Sequence, residues 1–164
     1  VLAPLLRHLH TADLLGRETP PRLLDVGSGG GLPGVVLAIC CPQVQVTCVD
    51  TVGKKAAFIR QVAAELRLPN LKAEHARVEQ LQGRYELITS RAFASLPDFV
   101  KLTRSLLSEG AVWMAMKGKA PDEELAELSA DVAVFHVEPL QVPGLDAERC
   151  LVWMRPEGEA QGAA

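Results

Sequence analysis

Between Asp25 and Gly34 the chain reads Asp-Val-Gly-Ser-Gly-Gly-Gly-Leu-Pro-Gly, and the chemistry such a run suits is the close cradling of a ligand by backbone. Glycine has no Cβ, so a ligand can lie against the main chain. Apolar Leu23, Leu24 and Val26 lead into the run as a buried strand does. Pro33 fits the first position of a helix, which residues 34–41 carry until Pro42. Strand, glycine turn and helix together place a nucleotide-type ligand at the carboxyl edge of an open α/β sheet. Two frames fit the glycines. Counted from Gly29, the run matches the dinucleotide pattern G-x-G-x-x-G. Counted from Asp25, an acidic residue leads, and a carboxylate there repels a pyrophosphate and attracts a cationic group. The bland alternative is a glycine turn that Asp25 merely caps. Asp50 is the second carboxylate of interest. It lies roughly 20 residues beyond the glycine run, at the end of the next strand, where an acid accepts hydrogen bonds from ribose hydroxyls. An Asp there also suits the cap of the following helix.

The elements that must position these groups alternate. Residues 1–15 carry leucines at helical spacing. A second strand is expected over 44–49 and a helix over 53–68, with Ala57, Ile59, Val62, Ala63 and Leu66 on its apolar side and Pro69 ending it. A strand follows at 71–75, a loop or short helix at 76–79, and a fourth, central strand at 85–89. Ser90 and Arg91 then lie in the ligand crevice by position, where an arginine can fork onto an anion or remain a surface charge. A helix over 97–107, a strand over 110–116, an acidic helix over 121–130 and strands over 132–140 and 150–154 complete the pattern. Alternation implies a doubly wound, mostly parallel sheet. The last two strands lack an intervening helix and read as a hairpin, giving one antiparallel strand near the C-terminal end. Residues 1–155 form one expected domain and 156–164 a disordered tail.

The chain has 164 residues, 48% hydrophobic and 23% charged, with a formal net charge of −3. That is a single globular domain's balance, and it disfavours broad non-specific binding to nucleic acid. No apolar run is long enough for a membrane span and no signal peptide is visible. The four cysteines show no metal-binding spacing and read as reduced, packed side chains, which points to the cytoplasm. No metal is expected. His8 and His10 lie two apart on their helix and cannot share a face.

Asp25-Val26-Gly27-Ser28-Gly29-Gly30-Gly31 resembles the acidic glycine signature of class I S-adenosylmethionine-dependent methyltransferases, whose cofactor carries the ammonium and sulfonium that Asp25 would attract. Further along come residues 50–66 (DTVGKKAAFIRQVAAEL), ARVEQL, ITSRAFASL, MKGK and ERCLVWM. With LLDVGSGGGLPG, in this order and spacing, they resemble the RsmG (GidB) family of ribosomal RNA methyltransferases over residues 23–155. The resemblance implies a Rossmann-like class I methyltransferase domain. It implies S-adenosylmethionine as cofactor and methylation of a guanine N7 in 16S ribosomal RNA, free or in the small subunit; separately, the chain is expected to be a monomer. Gly27 and Leu32 match the family's cofactor-loop positions, with Ser28 and Gly29 between them. Val78 and Glu79 match its R-V-E segment and Arg91 its cofactor-site arginine, while Asp25 and Asp50 match the wider methyltransferase motifs. Lys54, Arg77 and Lys117, with Lys119 close by, match basic positions facing RNA. The family's T-G-P-G turn is here Ser28-Gly29-Gly30-Gly31, a family histidine is replaced by Cys150, and the N-terminal helical extension is largely missing.

No catalytic base is expected, because guanine N7 already holds a lone pair. Two other readings of the same residues stand beside this one. One is a nicotinamide-dependent oxidoreductase on the same fold, which S-adenosylmethionine and NAD would distinguish by thermal shift. The other is a non-catalytic RNA- or ribosome-binding module that retains a cofactor pocket.

Overall fold

The structure is a computed structural model that describes residues 1–91 and 93–158. Seven strands form one sheet in the order β3-β2-β1-β4-β5-β7-β6. They are β1 (Arg22–Val26), β2 (Gln45–Asp50), β3 (Leu71–His75), β4 (Tyr85–Arg91), β5 (Leu107–Lys117), β6 (Val132–Leu140) and β7 (Arg149–Pro156). The first five pair in parallel, so their carboxyl ends share one edge. β7 runs antiparallel and is inserted between β5 and β6. The expected single antiparallel strand is present, and it separates its hairpin partner from the rest of the sheet.

Side chains alternate across this sheet with the period of two that the pleat requires. Leu23, Leu87, Val112, Met114, Leu151 and Trp153 enter one core layer. Their neighbours Leu24, Ile88, Trp113, Val152 and Met154 enter the other. Helices α1 (Leu2–Thr11), α2 (Gly34–Cys40) and α3 (Gly53–Glu65) supply Leu5, Leu9, Leu37, Ala38 and Ile59 to the first layer. Helices α4 (Leu96–Thr103) and α5 (Asp122–Ala126) cover the second through Leu96, Phe99, Val100 and Leu125. Trp113, buried at the sheet centre, donates its indole N–H to the Thr103 hydroxyl at 2.9 Å, so its one polar atom is satisfied.

Several expected boundaries move. Helix α1 stops at Thr11 rather than residue 15, because Asp13 takes a left-handed φ of 51° and Leu14 folds back onto the Leu9 carbonyl. In α3 the buried side is Ala56 and Ile59, while Ala57 and Leu66 are exposed; the helix rests on the sheet along a narrower stripe than expected. The acidic helix shrinks to Asp122–Ala126, none of whose residues is fully buried; Leu125, and Leu128 beyond its end, rest only partly on the core, a small anchor for a longer helix. β7 runs through Pro156, so the expected tail is strand and turn as far as residue 158; residues 159–164 lie outside the described residues. Between β3 and β4 there is only a 3₁₀ turn (Val78–Gln80), which leaves Thr47, Lys72 and Glu74 lining an open polar groove.

Candidate functional site

The glycine loop joins β1 to α2 at the carboxyl edge of the sheet, and its glycines face two ways. A Cβ on Gly34 would stand 2.5 Å from the Cys48 sulfur and 2.9 Å from Asp25 Oδ2, and one on Gly31 would meet Val35. These two are glycine because the loop packs inward. The outer side is open at Gly30, where a Cβ would meet nothing within 4 Å. On Gly29 (φ 57°) it would approach only Arg91 Nη2 and the Gly27 carbonyl, both at 3.9 Å. Phe93 lies over Gly27, 3.2 Å from where a Cβ on that glycine would stand. The loop therefore presents bare backbone outward at Gly29 and Gly30, flanked by an arginine and a phenylalanine.

Asp25 stands behind this surface, not on it, which corrects its expected contact with a cationic ligand. The residue has no exposed surface. Its Oδ2 accepts the Gly34 N–H at 3.0 Å, and its Oδ1 accepts the Thr89 hydroxyl at 3.3 Å. Pro33, the N-cap of α2, provides no side-chain cap, so Asp25 satisfies that helix end from the neighbouring strand. Burial pushes the Asp25 carboxyl up to about 7, and the nearby Asp50 charge adds to it; the Gly34 N–H, Thr89 and Arg91 oppose the rise. Ser28 is likewise internal and donates its hydroxyl to the Asp25 carbonyl at 2.8 Å. Both residues brace the loop. Discrimination against a pyrophosphate therefore cannot rest on an exposed Asp25 charge.

Asp50 occupies the position expected of it, at the end of β2 beside the loop. Its Oδ2 accepts the Gly29 N–H at 3.0 Å and its Oδ1 the Val52 N–H at 2.8 Å. It is not the N-cap of α3, a place taken by Val52. The carboxylate ties β2 to the glycine loop, and each oxygen keeps a lone pair for a further donor. Val78 and Glu79 lie in the turn just after β3, whose last residue His75 is paired with Asp50. The Val78 side chain belongs to the core, so only its backbone can face a ligand, whereas Glu79 is exposed. Arg91 ends β4 and reaches across toward Gly29, and Leu32 is 45% exposed on the loop itself. Ala92, in the expected SRAFASL segment, lies outside the described residues.

Of the four expected basic residues, Lys54, Arg77 and Lys119 are exposed beyond strand ends. Lys117 is not a free charge. Its ammonium donates to the Ala94 carbonyl at 3.0 Å and pairs with Glu124 at 2.8 Å. The same Glu124 oxygen accepts the Leu96 N–H at 2.7 Å. Burial alone would raise the Glu124 carboxyl, but Lys117 and the Leu96 N–H together hold it below its ordinary value. Lys117 and Glu124 thus staple the segment that carries Phe93 to the end of β5 and to α5. The acidic run from Asp122 signals a helix start in sequence, with no mark that singles out Glu124.

Burial pushes the Cys48 thiol far upward and raises Cys41 and Cys150, so these cysteines are inert packing groups. Among the described residues no group of three His, Cys, Asp or Glu is arranged to hold a metal, and no helix is long and apolar enough to cross a membrane.

This strand order, with a glycine loop after β1 and an acid ending β2, defines a class I methyltransferase fold. Solved structures share it. TrmN from Thermus thermophilus superposes with a TM-score of 0.71 at 18% identity, covering 92% of this chain and 47% of that one. An S-adenosylmethionine-dependent methyltransferase from Clostridium acetobutylicum gives 0.73 at 11% identity, covering 96% and 91%. Residues 4–152 match the GidB family model, described as rRNA small subunit methyltransferase G, and the chain belongs to that family. Relatives named ribosomal RNA small subunit methyltransferase G agree. That of Leptothrix cholodnii is 65% identical over 98% of this chain and 71% of its own length. That of a Polaromonas species is 62% identical, covering 97% and 69%.

Proposed function

We propose that this protein transfers a methyl group from S-adenosylmethionine to a guanine N7 of 16S ribosomal RNA, as a monomer in the cytoplasm and without a metal. The observation that carries the reading is the outward-facing backbone at Gly29–Gly30 beside the Asp50 carboxylate, in a chain of this family. The open face over Gly29 and Gly30 fits a close-lying ligand, and Asp50 fits hydroxyl donors. Gly27, Gly29, Leu32 and Arg91 would line the methionine side, with Asp50 and the Val78–Glu79 turn on the ribose and adenine side. Asp25 and Ser28 would hold the loop from behind. When bound, S-adenosylmethionine supplies a methyl group already activated on a sulfonium. Guanine N7 needs no deprotonation, so the chain's residues need only bind, orient and exclude water. Alignment of that kind is worth up to about 7–11 kcal/mol.

The direct test is transfer of labelled methyl from S-adenosylmethionine to 16S ribosomal RNA and to small subunits, followed by nucleoside analysis. Label in 7-methylguanosine is the expected result. Cofactor binding without transfer to either substrate would instead mark a non-catalytic module. Binding of NAD in place of S-adenosylmethionine would mark an oxidoreductase.

Asp50→Ala is expected to weaken S-adenosylmethionine binding by about 1.5–3 kcal/mol, the range for hydrogen bonds to a charged group. Calorimetry on a variant with an intact melting transition checks this, and unchanged affinity removes Asp50 from the site.

The RNA surface is proposed to be the rim formed by Lys54, Arg77 and Lys119, with Lys117 excluded by its internal partners. Replacing the three together should flatten the dependence of RNA binding on salt by roughly 0.7 in log–log slope for each single-strand phosphate no longer neutralised. Cofactor affinity should hold. A slope and RNA affinity equal to the parent's would place the RNA surface elsewhere.

A further inference from the structure

An apolar cleft of about 320 Å³ opens beside the glycine loop, lined by its Leu32 and Pro33 and not by Asp50. Leu32 and Pro33 of the loop form one wall. Met116 at the end of β5, with Leu140, Val142 and Leu145 of the β6–β7 hairpin, forms the other. Leu32, Val142 and Leu145 are each nearly half exposed around it, and Val1, Leu2 and Val36 complete its apolar lining. Arg91 and Arg149 stand at its edge. Arg149 donates to the adjacent Glu148 carbonyl, and Arg91 reaches over Gly29. Two guanidinium groups flanking an apolar slot match one class of occupant well, a flat heterocycle attached to an anionic backbone.

Resting on the methyl-transfer reading above, we propose that this cleft receives the target base of the RNA, unstacked from its neighbours. The base lies between Leu32 and the hairpin residues Val142 and Leu145, and Arg149 meets an adjoining phosphate. Guanine N7 of an RNA helix lies in a deep, narrow major groove that a protein-held methyl donor does not reach, so the base is presented splayed out, and an apolar slot repays the lost stacking by covering both its faces. Leu32 and Arg91 border both the cleft and the glycine loop, so a base seated here is adjacent to whatever the loop holds. The loop joining β6 to β7, which contributes no buried side chain to either core layer, is thereby the segment that sets acceptor specificity. Residues 141–148 are exposed throughout, so they can change without disturbing the packed layers.

The test is the double variant Val142→Asp with Leu145→Asp, and separately Arg149→Gln. Both alter exposed or half-exposed side chains, so folding should be retained. Methyl transfer to small subunits or 16S ribosomal RNA should fall at least about tenfold in kcat/KM for each, on the scale of removing one base or phosphate interaction, with S-adenosylhomocysteine affinity within about twofold of the parent. Parent-like turnover in both would overturn the proposal. A second measurement needs no turnover. With S-adenosylhomocysteine bound, guanosine 5′-monophosphate should shift the NMR signal of the Met116 methyl group and leave the buried Met114 and Met154 in place. If the unaltered protein transfers no methyl group to either RNA substrate, the functional reading fails, and this titration alone decides the cleft: an unmoved Met116 signal overturns it.

Discussion

Gly34→Ala is expected to be among the most damaging single-atom changes in the molecule. The added carbon would stand 2.5 Å from the Cys48 sulfur, 2.9 Å from Asp25 Oδ2 and 3.2 Å from Asp25 Cβ. Both neighbours are buried at the centre of the sheet and have no solvent to move into. Overpacking of this kind costs about 1–3 kcal/mol. Displacing the loop also breaks the Gly34 N–H bond to Asp25, which leaves a buried carboxyl short of a partner at a further cost of about 1–3 kcal/mol. Together they predict a fall in Tm of roughly 5–15 °C for a domain of this size. Gly30→Ala is the matched control. Its Cβ meets nothing within 4 Å, so Tm should stay within about 2 °C of the parent. The added methyl group would project into the proposed ligand space, and S-adenosylmethionine affinity should drop. Gly29→Val probes the same space less cleanly, because Gly29 has a φ of 57° and any side chain there strains the backbone. A Gly34→Ala protein that melts with the parent would mean that the loop yields easily, and a Gly30→Ala protein with unchanged affinity would remove the loop from the cofactor site.

Asp25→Asn should remove a slope from the dependence of stability on pH. Burial holds the Asp25 carboxyl at about 7 in the folded chain, well above the ordinary aspartate value near 3.9 that applies when unfolded. The folded state therefore keeps a proton that the unfolded state gives up. This contribution to stability is fully present below about pH 4, declines as pH rises, and is gone once pH passes about 7. Three pH units of difference correspond to about 4 kcal/mol, an upper bound on the fall. Asn is nearly isosteric, accepts the Gly34 N–H in the same way and carries no charge at any pH. The variant should match or exceed the parent at pH 8 and lose its advantage by pH 5. Denaturant unfolding at pH 5, 6, 7 and 8 reads the difference between the two proteins. That comparison cancels the titration of surface carboxylates. Parallel profiles would show that Asp25 is ionised throughout or that its titration is not linked to folding.

The local elements of this protein were legible in its sequence because their causes are local. Leu23 to Val26 alternate between two core layers, and Gly27 to Gly34 turn the chain into a helix. The acid at Asp50 falls where a second strand ends, beside the loop. The hairpin of β6 and β7 follows from the want of a helix between them. Each of these depends on backbone preference or side-chain period within about ten residues, and the family resemblance carried the same segments further, to the class of reaction. Tertiary structure decided what those residues are free to do. Lys117 reads as a basic residue beyond a strand, but Ala94 and Glu124 approach it from other elements and take its charge inward. Asp25 reads as a carboxylate at a loop mouth, but complete burial raises it to about 7, and its bonds from the Gly34 N–H and the Thr89 hydroxyl make it an internal brace. The cleft between Leu32 and the β6–β7 hairpin had no sequence signal at all, because its walls come from segments more than a hundred residues apart. A residue's conformation is set mostly by its neighbours in the chain, whereas its charge, exposure and partners are set by whatever the fold brings against it.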